Sequence, residues 1–183
     1  PEENEPVFED LDSVAWAKEA VNELWKKGII SGRDESHFAP LDAITREEFI
    51  KLLVLAVDCY DEKAEATFVD TEETAWYYPY IASAQKNGLV EGTDDGSFGV
   101  GRPISRQEMA VILARYASGG QISPAETLSF ADASSISSWA KDAVGYVQEH
   151  GIMVGVSETI FDPLSEVNRA QAAKAIYEIV SGR

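Results

Sequence analysis

The sequence states one pattern three times. Phe8, Asp10, Trp16, Gly28, Gly32, Phe38 and Arg46 return as Phe68, Asp70, Trp76, Gly88, Gly92, Phe98 and Arg106, and again as Phe130, Asp132, Trp139, Gly151, Gly155, Phe161 and Arg169. Inside each copy Trp to Gly is 12 residues, that Gly to Phe is 10, and that Gly to Arg is 18. A unit of about 60 residues buries too little apolar surface to be stable alone, so the copies are expected to share one core. The chain divides into a polar linker at 1–7 and repeats at 8–67, 68–129 and 130–183.

Composition narrows the function classes. The net charge is −17 and 45% of residues are hydrophobic. The stripe of Lys and Arg that nucleic-acid binding leaves in a sequence is absent, so no nucleic-acid partner is expected. No apolar run approaches the ~20 residues of a membrane span. No signal-peptide pattern is present, and the polar start Pro1–Pro6 favours excision from a longer protein. The single cysteine, Cys59, leaves a fold without internal disulfides, which does not exclude secretion.

Each copy reads as helix, loop, helix. First helices are expected around Ala15–Lys27, Trp76–Asn87 and Trp139–His150, from apolar residues at helical spacing. Gly28, Gly88 and Gly151 end them, each followed by an apolar residue (Ile29, Leu89, Ile152), as in a Schellman stop. The loops run about sixteen residues, long for a bare connection. A short extended piece or turn is expected in each, anchored by Phe38, Phe98 or Phe161. Second helices open on Ile44-Thr-Arg-Glu-Glu48, Ile104-Ser-Arg-Gln-Glu108 and Val167-Asn-Arg-Ala-Gln171. Thr45, Ser105 and Asn168 are N-caps, and Glu48, Glu108 and Gln171 at N3 complete capping boxes. Ile44, Ile104 and Val167 at N′ are placed to staple onto N4. Arg46, Arg106 and Arg169 then fall at N1, where a cation meets the positive end of the helix dipole. Capping accounts for their neighbours but not for them.

Together these residues resemble S-layer homology domains in triplicate. The family pattern of Phe-x-Asp, Trp-Ala, Gly-Ile-Ile-x-Gly, a Gly-x-Phe-x-Pro loop and Ile-Thr-Arg-Ala-Glu is met by Phe8-Glu-Asp10, Trp16-Ala17, Gly28-Ile-Ile-Ser-Gly32, Phe38-Ala-Pro40 and Ile44-Thr-Arg-Glu-Glu48, with counterparts in the other copies. The resemblance implies an all-α fold of three helix–loop–helix repeats in a pseudo-threefold assembly. It also implies a non-catalytic module at the bacterial cell surface that binds an anionic, often pyruvylated, secondary cell-wall polysaccharide in grooves between repeats. Departures are Val100 for the loop proline, Gln171 for the motif Glu, and one extra residue between Phe130 and Trp139.

Arg46, Arg106 and Arg169 are candidate anion captors, because guanidinium offers a planar donor fork to a carboxylate. The alternative for them is a structural ion pair between repeats. Trp16, Trp76 and Trp139 are expected mainly in the core, with an edge reaching a groove. Asp10, Asp70 and Asp132 read as loop ties first and ligand acceptors second. Gly32, Gly92 and Gly155 read as structural, with room for a ligand to approach backbone donors. Arg102, four residues before Arg106, is expected to make the Arg106 site the best anion site, with Glu47, Glu48 and Glu166 weakening the other two. No cofactor or metal is implied: Thr93-Asp-Asp-Gly96 reads as a turn, because it lacks the alternating acids of a calcium loop. Rival readings are a protein–protein module for lattice assembly and a glycan hydrolase, for which no privileged carboxylate pair stands out.

Overall fold

The computed structural model describes residues 8–125 and 128–182; the linker assigned to 1–7 lies outside them. Among the described residues the fold is all-α, with no β-strand. It contains α1 (Lys18–Lys26), α2 (Arg46–Ala56), α3 (Tyr78–Lys86), α4 (Arg106–Ala117), α5 (Lys141–Glu149) and α6 (Arg169–Ser181), with short 3₁₀ segments ahead of α1 and α5.

The second helices begin where the capping boxes place them. Thr45 Oγ1, Ser105 Oγ and Asn168 Oδ1 accept from the N3 amides, and the N3 side chains accept from the N-cap amides. The first helices are shorter than expected and start after the Trp, at Lys18, Tyr78 and Lys141. Leu11–Ala17 and Ser138–Ala140 are 3₁₀ instead, and Val14 has non-helical backbone. The helix ends hold. The Ile29, Leu89 and Ile152 amides donate to Leu24, Ala84 and Val147 carbonyls, the six-to-one bond of a Schellman stop, with Gly28, Gly88 and Gly151 at positive φ. The loops contain turns and single bridges rather than strands. Their anchors Phe38, Phe98 and Phe161 are fully buried, each with its ring 5.3–5.7 Å from Phe8, Phe68 or Phe130.

The principal helix pairs join different copies: α2 packs on α3, α4 on α5, and α6 back on α1. A closed ring of backbone hydrogen bonds lies among the N′ residues. Ile44 N–H donates to Val167, Val167 N–H to Ile104, and Ile104 N–H to Ile44, at 2.9–3.1 Å. One contiguous hydrophobic cluster draws on all three copies, including Ile44, Phe49, Ile104, Met109, Val167 and Ala172, the N′ and N4 residues of the second helices.

Candidate functional site

The ring places each motif arginine against the loop of another copy. The Arg46, Arg106 and Arg169 amides donate to the Arg102, Ser165 and Asp42 carbonyls, so each helix N-terminus is closed by a neighbouring loop. Their side chains follow. Arg46 Nε donates to Phe98 O (2.9 Å), Arg106 Nε to Phe161 O (2.7 Å) and Arg169 Nε to Phe38 O (2.9 Å). Each guanidinium lies over the ring of that same Phe, at 4.5–4.9 Å. Arg106 Nη2 also donates to Val154 O, and Arg169 Nη2 to Ser31 O. These partners resolve the N1 anomaly: the cation is placed by an inter-repeat contact that the isolated helix does not contain. Burial pushes all three guanidinium pKa values down from their ordinary level.

Above each arginine opens a cleft lined by all three copies. The Arg169 cleft, about 370 Å³, is walled by the 29–33 loop, by Glu48 and Lys51 of α2, and by Trp76. The Arg46 cleft, about 410 Å³, has the 90–94 loop, Glu108 and Arg115 of α4, and Trp139. The Arg106 cleft, about 560 Å³, has the 151–156 loop, Gln171 and Lys174 of α6, and Trp16. One copy thus supplies the guanidinium, the next a loop and helix face, and the third an indole.

The tryptophans depart from the expected core placement: Trp16, Trp76 and Trp139 are 53%, 53% and 58% exposed. The α-helix has not begun at these positions, so the ring projects outward while Ala17 and Ala140, one residue on, take the buried slots. The aspartates are loop ties. Asp10 accepts from the Phe38 and Ala39 amides, Asp70 from Phe98, Gly99 and Val100, and Asp132 from Phe161 and Asp162. None of the three lines any of these clefts. Burial opposes ionisation of Asp70 and Asp132, but the backbone donors outweigh it and hold both below the usual carboxylate range. Gly32, Gly92 and Gly155 do line the clefts, yet packing requires their lack of a side chain. A Cβ at Gly32 would stand 2.3 Å from Asp34 O and 2.6 Å from the Phe8 ring.

Arg102 does not serve the Arg106 cleft, and it lines none of the three clefts. Its Nη2 donates to Glu108 Oε1 at 2.7 Å, and that oxygen also faces Arg46 Nη1 at 3.3 Å. The repeat 2 loop packs onto the arginine of repeat 1, so residues just before Arg106 lie against Arg46. For the same reason, the acids that follow Arg46 in sequence make their hydrogen bonds elsewhere. Glu47 turns to the Gly101 amide and Glu48 lines the Arg169 cleft. Residues that the sequence reading passed over include Lys51 and Lys174, both five positions after a motif arginine, and Arg33. The shared offset of the two lysines was a signal available in the sequence.

S-layer homology domains match at residues 7–50, 67–110 and 129–173. The chain is 30% identical to an endoglucanase of Bacillus sp. (strain KSM-635) over 174 residues, 92% of this chain and 18% of that protein. It is 30% identical to an amylopullulanase of Thermoanaerobacterium thermosulfurigenes over 97% of this chain and 10% of that protein. It is 29% identical to S-layer protein sap of Bacillus anthracis, over 93% of this chain and 21% of that protein. The chain thus spans only a tenth to a fifth of the length of these relatives, two named as glycan-degrading enzymes and one as an S-layer protein. With matches at three successive positions covering most of its length, the chain belongs to the S-layer homology domain family.

Proposed function

We propose that this cell-wall-anchoring module holds an anionic, pyruvylated secondary cell-wall polysaccharide outside the cell, in the clefts between its repeats, and performs no chemistry of its own. The observation that carries this reading is the composition of the clefts. Each sets a largely buried guanidinium beside an exposed indole, which is what a sugar bearing a carboxylate requires: a planar donor fork for the anion and an apolar face for the ring. The ring of backbone hydrogen bonds and the cyclic helix pairing support a pseudo-threefold assembly, with repeat boundaries at 8–67, 68–129 and 130–183. The net charge of −17 repels a polyanion at long range, so capture relies on these few placed cations.

Calorimetric titration of purified wall polysaccharide, native and depyruvylated, tests the reading. Binding is expected with the native polymer and at least tenfold weaker without the ketal. Equal affinity for both would remove the anion from the recognition.

A further inference from the structure

The three clefts share a plan but not a charge. In the Arg46 cleft three acids, Glu91, Asp94 and Glu108, face two cations, Arg46 and Arg115. In the Arg169 cleft three cations, Arg169, Arg33 and Lys51, face one acid, Glu48. In the Arg106 cleft Arg106 and Lys174 face only Glu178, and the position of the N3 acid is held by Gln171.

The pairing inside each cleft sharpens the contrast. Among the described residues Arg46 is the only motif arginine with an ion pair: Glu108 lies 3.3 Å from its Nη1, and both side chains are largely buried. Glu108 simultaneously accepts from Arg102 and caps the Ser105 amide. Glu48, its counterpart, is taken by Arg33 at 3.1 Å and does not pair with Arg169. Lys51 lies 5.6 Å from the Trp76 ring and 5.7 Å from the Tyr80 ring, with no carboxylate partner among the described residues. Among the described residues the Arg106 guanidinium has no ion pair: it donates to carbonyls and lies over Phe161, with Asp162 and Asp132 acting on it through charge without pairing, and Lys174 pairs with Glu178 on its own helix.

We infer that Glu108 occupies in the Arg46 cleft the place a ligand carboxylate would take, so that the module captures anionic sugar through the Arg106 and Arg169 clefts alone. The N3 position of the second helix is the determinant. An acid there that reaches the arginine across the repeat boundary closes the cleft to anions; Gln171, or an acid drawn off by Arg33, leaves it open. A neutral sugar face can still stack on Trp139 without an anion site beneath it. This inference rests on the anion-capture reading above.

The test exchanges the two side chains. Glu108→Gln and Gln171→Glu both preserve the capping box, since either residue serves at N3, so both variants keep the fold. The probe is a monosaccharide pyruvate ketal carrying one carboxylate, with its uncharged methyl ester as control, titrated calorimetrically into the whole chain. The parent is expected to bind about two equivalents of the acid, Gln171→Glu about one and Glu108→Gln about three, with the ester at least tenfold weaker throughout. Three equivalents in the parent, or stoichiometries that neither exchange moves, would overturn the inference while leaving anion capture standing. Ester and acid bound alike, or no binding of either by the parent, would overturn anion capture and this inference with it.

Discussion

Arg106 commits two donors to carbonyls of the following copy, Phe161 O and Val154 O, and it also lines the cleft. Replacing it therefore acts on both stability and binding. Arg106→Ala is expected to lose at least tenfold in wall affinity, since a hydrogen bond to a charged group is worth roughly 1.5–3 kcal/mol. It should also lower stability by about 1–3 kcal/mol, through carbonyls left without a partner. Parallel pull-down on purified wall and thermal melts separate the two effects; undiminished binding would exclude the guanidinium from recognition. Asp70, Asp132 and Glu108 are expected to contribute to the acid limit of the fold. Burial raises the Glu108 pKa, but the Ser105 amide, Arg102 and Arg46 outweigh it and hold the group below its ordinary 4.5. Asp70 and Asp132 lie below 3.8. Groups with depressed folded-state values contribute stability that is complete above their unfolded values and is lost as pH falls through the folded ones. The melting temperature should therefore fall steeply below about pH 4, and Asp70→Asn should shrink that acid-dependent loss while lowering stability at neutral pH. An acid limb unchanged in Asp70→Asn would show that the loop tie does not titrate with folding.

At the scale of the helix, the capping boxes and Schellman stops are local devices, and they form where sequence spacing puts them. Thr45→Ala removes the acceptor for the Glu48 amide and should cost about 1 kcal/mol. Because Thr45 lines none of the clefts, its effect on wall binding should stay well below that of Arg106→Ala. A Thr45→Ala protein with an unchanged melting temperature and no wall binding would contradict this division between fold and recognition. The first helices show the limit of local reasoning. Helical periodicity runs back through Trp16 and Trp139, yet 3₁₀ turns occupy those positions and turn the indoles out to solvent. Apolar residues at helical spacing read alike whether the ring is buried or presented.

At the scale of the whole molecule, each helix finds its main partner in another copy, α2 with α3, α4 with α5 and α6 with α1. A fragment of residues 8–67 would keep α1 and α2 but lose α3 and α6, together with every bond of the backbone ring. It should show no cooperative thermal transition as a monomer, monitored by circular dichroism at a concentration where sedimentation excludes self-association. A sharp transition there would mean that a single repeat holds its own core. The same closure explains why the repeats cannot be assigned sites one at a time, since every cleft takes residues from all three.

The sequence alone determined what depends on local chemistry and on repetition. The period, the capping boxes, the Gly stops and the buried Phe anchors follow from short-range hydrogen bonding and backbone sterics, which a few neighbouring residues encode. The tertiary structure alone decided which residues meet. Each motif arginine met the loop of another copy, Arg102 reached Glu108 and Arg46 instead of Arg106, and the three indoles turned outward. The arginine contacts join copies 52 to 131 residues apart in the chain, for which sequence proximity is no guide. The physical reason is the closure of the ring, which sets each loop against the arginine of another repeat and so assigns the charge of every cleft across repeat boundaries.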